Sequence, residues 1–311
     1  MTWLLWRQNR GGILVWCLGL VALVILIAFA IWRVATQIVG LDLEACLQSS
    51  GSGPSITCQL TFPAFITFFD RMDRLIYVTL VPLPALAAGF VGAPLLAREF
   101  EQGTHRLVWT QGITRRRWLA SKVAAALALA LVTVTILGAV TLPWTLLLTR
   151  VEPAWDRFDL YTPALASYMA FAVAVGLAAG ALLGRTVMAM AVALAGFAVS
   201  RVGFELWLRP RLFPPLTSEG MLRGNGHDWF LYARYLDSAG HEVSNDYVLN
   251  IITRPGNEGL ATLKQQGISL VGFYHPASQF WAFQTVEAAF FLVLAAGLIV
   301  MTFWWVERRL T

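Results

Sequence analysis

Apolar residues in this chain gather into long blocks, separated by short polar stretches. Six blocks stand out, at residues 11–32, 76–97, 123–148, 164–183, 187–208 and 281–306. Each is about 20 residues or a little more, the length a helix needs to cross roughly 30 Å of hydrocarbon. Inside lipid the backbone must satisfy its own hydrogen bonds, so each block predicts a helix. The second block contains Pro82, Pro84, Gly89, Gly92 and Pro94, which predicts a kinked or broken helix. Residues 33–74 read as a polar loop whose aromatic later part, Phe62 to Phe69, packs near the membrane interface. A charged segment at 98–122, an acidic loop at 150–163 and a tight turn at Gly184, Arg185 and Thr186 separate the next blocks.

The longest polar stretch, 209–279, is the one segment large enough for a small folded unit. Within it Trp229, Leu231, Ala233 and Tyr235 alternate with other residues, Asp237 to Gly240 carries turn chemistry, and an alternating pattern resumes from Val243 to Val248. This predicts a β-hairpin. The fold class is therefore an all-α polytopic membrane protein with six transmembrane helices and a small extracytoplasmic segment containing a β-hairpin. Residues 1–208 hold the first five spans with an amphipathic inner helix at 98–118. Residues 209–279 form the outer loop domain, and 280–311 the sixth span and tail.

Composition agrees with this reading and adds orientation. The chain is 58% hydrophobic and 13% charged, against about 25% charged in soluble domains. A net charge of +5 could suggest nucleic acid, but the arginines sit at the ends of apolar blocks, as topology signals do. With both termini inside, the inner segments carry eleven basic and three acidic residues, and the outer segments eleven basic and thirteen acidic. The positive-inside rule favours this arrangement. The basic start followed by Ala28, Phe29 and Ala30 has the look of a signal peptide, but its apolar run is longer than the usual 7–15 residues, so an uncleaved span is expected.

Catalytic motifs do not appear. No Gly-Lys-Ser/Thr occurs to hold phosphates, and neither Lys122 nor Lys264 has that setting. Of the four histidines, His105 is expected inside and His227, His241 and His275 outside, at spacings that match no zinc site. No catalytic residue, no metal site and no cofactor bound by this chain is expected. Cys17 lies in the first block. Cys46 and Cys58 share one outer loop, where they either form a disulfide or remain free thiols.

The inner segment 98–122 is rich in Trp and Arg, too polar to enter lipid and amphipathic. It reads either as a short helix lying on the cytoplasmic face or as a plain basic loop that sets topology. Gly103 and Gly112 can end helical turns within it. Pro94, Arg98, Glu99, Glu101, Gly103, Thr104, Arg106 and Leu107, followed by Thr110, Gln111, Thr114, Arg115, Arg117 and Trp118, resemble the permease subunits of ABC-2 type ABC transporters, most of all an actinobacterial-like group. The opening Trp3, Trp6, Arg7 and Gln8 is similar, as is the run from Tyr274 to Glu287, although Gln279 stands where that pattern has a basic residue. The resemblance implies that the segment is a coupling helix docking on a separate ABC ATPase subunit, with Glu99, Glu101, Gly103, Thr104 and Arg106 carrying the role. It further implies ATP and magnesium on that partner and two permease copies, a homodimer in the simplest case.

Three charges fall within predicted spans. Arg201 and Glu205 are four residues apart on the fifth, and Glu287 lies near the outer end of the sixth. Each would cost about 2.5–3.5 kcal/mol or more facing lipid at the bilayer centre, so they read as an ion pair locking the two spans or as an outer gate. Gly176, Gly180 and Gly184 repeat every four residues on the fourth span, suited to close helix packing within the bundle or to subunit dimerisation. The expected function is the membrane subunit of an ATP-driven exporter for a hydrophobic or amphipathic substrate, located in the cell membrane with no nucleic-acid partner. The competing reading is a non-transporting sensor or anchor that uses its outer segment as a receptor. An enzyme lacks a convergent catalytic set, and a secondary transporter lacks inverted repeats.

Overall fold

The computed structural model of the chain describes residues 2–40, 56–104, 112–151, 154–220, 227–253 and 259–309; side chains are described for these except at 2–9, 56–60, 148–151, 259–260 and 309. Among the described residues six helical stretches are long and apolar enough to cross a membrane: Arg10–Gly40, Thr61–Glu101, Arg115–Leu147, Ala154–Leu183, Thr186–Arg211 and Ala277–Arg308. Each covers all or nearly all of one of the six apolar blocks. They are called the first to sixth spans below.

The spans are longer than the blocks, and the expected outer loop shrinks accordingly. The first helix runs on to Gly40, and a helix from Ile56 to Leu80 takes up the later part of 33–74. Phe65, Phe69, Ile76 and Leu80 are buried and recur at helical spacing, with Asp73 on the same face, also buried. Charged neighbours hide that stripe in the sequence. Cys46 lies outside the described residues. The side chain of Cys58, at the start of this helix, does too, so the pair stays an expectation.

The second span breaks where its prolines predict. The helix ending at Leu80 gives way to a turn at Val81 and Pro82, resumes over Leu83–Ala87, widens to a π-helix over Ala88–Gly92, and closes as Ala93–Glu101. Pro82 and Pro84 have no amide hydrogen to donate, so the ladder cannot run through them.

The chain folds into two compact units. The first comprises Met1–Val151, Arg157–Phe204 and Gln284–Thr311, and the second Glu152–Asp156 and Glu205–Phe283. The first unit is built around the fourth span. Of an apolar 18-residue stretch of that span about 78% is buried, against 11% for the corresponding stretch of the first span, so the fourth is the central helix and the first is peripheral. Small side chains make this possible, because Gly and Ala let neighbouring backbones approach.

The second unit holds a four-stranded antiparallel sheet: β1 Leu216–Glu219, β2 Trp229–Leu236, β3 Glu242–Val243 and β4 Ser269–His275, in the order β1-β4-β2-β3. The predicted hairpin is its β2–β3 pair, with Tyr235 opposite Val243 and Leu236 opposite Glu242. Gly240 takes a positive φ of 84° in the turn, and the Asp237 carboxylate accepts the amides of Ala239 (2.9 Å) and His241 (2.8 Å). Those bonds, the His241 amide first, hold the Asp237 carboxyl below its ordinary pKa. One expectation is corrected here. The strand stops at Val243, and Asn245–Ile252 is a helix. Val248 and Ile251 are buried together with Leu263, a three-residue spacing that a helix places on one face. Ser244 stands at the N-cap and Asp246 in the first turn, both suited to helix entry. Elsewhere in this unit Trp155 stacks on Trp229 (5.2 Å between centroids) and meets Phe283 edge-on (5.0 Å). Buried His275 lies 4.8 Å from Phe283 and 3.2 Å from the Pro210 carbonyl.

Candidate functional site

The segment between the second and third spans is anchored more deeply than a surface helix would be. Arg98 to Glu101 finish the helix Ala93–Glu101, and Arg115 to Trp118 open the helix Arg115–Val151. The expected single helix over 98–118 is thereby corrected. Both ends belong to the spans themselves, and only residues between the two can lie apart from them. Gly103 (φ 69°) and Gly112 (φ 78°) bracket the change of direction, in backbone conformations that residues with a Cβ adopt at a cost. Residues 105–111, including His105, Arg106 and Trp109, lie outside the described residues. Thr104, half-buried, is the last one before them.

Glu99 does not face outward. Its carboxylate forms an ion pair with the Lys122 ammonium and accepts the Trp118 indole N–H at 3.0 Å. Lys122 also lies 3.4 Å from the Leu95 carbonyl. Phe100 meets Trp118 edge-on at 5.8 Å. Lys122 and Trp118 are only 2% exposed and Glu99 8%, so the pair is sealed between the second and third spans. Burying charges is tolerable when every oxygen and proton is engaged. The motif alone leads one to expect Glu99 to accept bonds from a partner, but Trp118 and Lys122, close by in the same stretch, already occupy it.

Glu101 is exposed and does a different task. Its Oε2 accepts the Thr186 amide (2.9 Å) and hydroxyl (2.5 Å) at the start of the fifth span. An anion at a helix N-terminus satisfies orphan amides and suits the helix dipole. The short turn before it works because Gly184 takes φ 60° and ends the fourth span.

The glycine stripe packs the fourth span against the second. A Cβ on Gly176 would lie 2.8 Å from the Ala93 amide nitrogen and from the Gly92 Cα, and closer still to the Ala88 carbonyl. A Cβ on Gly180 would lie 2.6 Å from the Ala93 carbonyl. The two glycines are therefore covered by the π-helix and last helix of the second span, backbone against backbone. Gly184 stands apart as the cap, where an added Cβ would lie 3.6 Å from that of Phe100.

The intramembrane charges form a larger network than the sequence suggests. Arg201 pairs with Asp159 and lies 3.9 Å from Glu287. Its guanidinium sits over the Tyr168 ring at 4.5 Å. Tyr168 donates to Glu287, and Tyr77 donates to Asp159 at 3.5 Å. Asp73 pairs with Arg157 and accepts the Trp144 indole N–H at 3.0 Å. Gln284 accepts the Ala164 amide (3.1 Å) and donates to the Phe158 carbonyl (2.7 Å), tying the sixth span to the start of the fourth. Glu287, Gln284 and Asp73 are fully buried.

Asp159 and Asp73 escape a reading of the sequence because both fall in stretches polar enough to pass for outer loops. Buried aromatic neighbours at helical spacing are the signal that marks them. Glu205 belongs to the second unit, where it lies 3.9 Å from Arg209. The fifth helix widens to a π-turn over Phe204–Leu208, so four-residue spacing no longer fixes the face as it does in an α-helix.

No curated protein and no solved structure matches the chain. Residues 17–209, well over half of it, match the family described as ABC-2 membrane transporter related. That stretch contains most of the first five spans, the Glu99–Lys122 pair, the glycine contacts and Arg201 with Asp159. The chain is thus a multi-pass membrane protein of the ABC-2 membrane transporter related family, whose role is of the permease type.

Proposed function

We propose that this chain is the translocating subunit of an ATP-driven exporter, coupled to a separate ABC ATPase through the segment at 98–118. One observation carries the reading: the flanks of that segment are tied to three different spans. Glu99 joins the second span to the third through Lys122 and Trp118, and Glu101 joins the second to the fifth through Thr186. A displacement that reaches these flanks therefore passes into the bundle. In this arrangement Glu99 positions the segment, Glu101, Gly103 and Thr104 flank the stretch on which a partner would press, and Arg106 keeps its role from the resemblance alone. The active assembly has two permease copies and two ATPases, with ATP and magnesium held by the latter. The substrate is hydrophobic or amphipathic, in keeping with the low charge of the spans. Both termini face the cytoplasm at the cell membrane, as the arginine distribution indicates.

The test uses the full chain co-expressed with an ABC ATPase subunit. Glu101→Gln and Gly103→Val should insert normally yet lower ATPase activity in the purified complex several-fold. Valine at a φ near 69° costs about 1–2 kcal/mol, enough to reshape the turn without unfolding the bundle. If assembly and hydrolysis survive both changes, the sensor or anchor reading takes over.

Orientation has its own check. Cysteines placed at Ser238 and at Thr114, both exposed, should react with an impermeant thiol reagent from opposite sides. Labelling of the Thr114 position from outside rejects the arrangement.

A further inference from the structure

A groove of about 890 Å³ runs between the first and second spans. Its walls are apolar, with Trp16 and Leu20 on one side and Leu83 and Phe90 on the other. Arg10 and Arg98 line the same groove, one from each span, and both are exposed. Among the described residues neither guanidinium has a carboxylate partner within 4 Å. The first helix enters the groove at Arg10, and the second leaves it at Arg98, so the two cations stand at one end.

We propose that this groove binds an anionic phospholipid of the adjoining leaflet, its phosphate held between Arg10 and Arg98 and an acyl chain lying along the apolar walls.

The dimensions match a lipid. From Arg10 to Leu23 a helix rises about 20 Å, close to one leaflet of a core roughly 30 Å thick plus its headgroup edge. The wall of the first span is open. A Cβ on Gly11, Gly12 or Gly19 would meet no atom of the chain within 4 Å, whereas Gly176 and Gly180 are filled by backbone. Two like charges beside one apolar cleft repel unless an anion lies between them, and basic pockets between membrane helices recruit anionic headgroups for that reason. A second copy of the chain is a poorer fit. It would have to place the two guanidiniums against an apolar helix and leave them unneutralised. Arg98 also opens the segment proposed above to dock on an ATPase, so the test below uses the chain without that partner and does not depend on its docking.

Native mass spectrometry of the purified full chain, titrated with phosphatidylglycerol or phosphatidylcholine of identical acyl chains, tests this. The parent should retain phosphatidylglycerol with a preference on the order of tenfold. Arg10→Gln with Arg98→Gln should bring the two lipids to parity. Gly19→Phe, which fills open space, should weaken retention of both. Equal binding by the parent, or an undiminished preference in the double variant, overturns the proposal. So does a Gly19→Phe chain that loses a dimer while still holding lipid, which would make the second copy the occupant.

Discussion

Replacing Arg201 with methionine should unfold most of the bundle. Methionine keeps much of the length and apolar stem of arginine and removes its charge. Asp159 and Glu287 are then left beside each other in a region where Glu287 has no exposure at all. Removing one partner of a buried ion pair typically costs about 3–5 kcal/mol, a large part of a domain's stability. The measurement is the midpoint of thermal aggregation in detergent, followed by size-exclusion chromatography, and the expected result is a drop of many degrees. Adding Asp159→Asn and Glu287→Gln to the same chain should restore much of the loss, because neutral amides can exchange hydrogen bonds without needing a counter-charge. If the single variant melts with the parent, the network does not hold the spans together. If the triple variant is no better than the single, loss of packing and not of charge explains the effect.

The second large effect is expected at the glycines. Gly176→Ala and Gly180→Ala each add one methyl group, and in both cases it meets backbone atoms of the second span at 2.8 Å or less. Backbone cannot swing aside as a side chain can, so the helices must separate. Overpacking of this kind costs about 1–3 kcal/mol per site, and the two together should cost more than either because they prise open the same interface. Gly203→Ala and Gly297→Ala are the controls, since an added Cβ there has nothing within 4 Å. Yield of monodisperse protein is the readout. Normal behaviour of the Gly176 and Gly180 variants would mean that the close approach has slack.

The spans are legible in the sequence because lipid imposes one requirement on all of them, a run of apolar residues of fixed length. The breaks at Pro82 and Pro84 and the hairpin turn at Asp237–Gly240 are legible for local reasons, since proline and glycine act on their own backbone. Less can be read where charge serves packing. Asp73, Arg157 and Asp159 look like loop residues because they are charged, yet they are satisfied by partners 42 to 84 positions away in sequence. Such pairing has no local signature. Glu99 shows the same limit from the other side. Its motif draws attention to the segment, but the direction of its side chain depends on Lys122 in the next helix. The helix at Asn245–Ile252 passes for strand because a six-residue apolar-polar pattern suits both periods, and only the capping residues separate them.

The order in which the network's members emerge from the ribosome has a consequence for assembly. Asp159 is made at the head of the central span, but its arginine follows 42 residues later, and Glu287 arrives only with the final span. Until Arg201 is made, the nascent chain holds this acid at the entrance of its most enclosed helix ahead of its counter-ion, and until Glu287 is made that arginine lacks its second carboxylate. The earlier helices can insert, but they cannot lock. Closure awaits the sixth span, so a chain stalled before residue 287 is left unlatched and open to quality-control proteases.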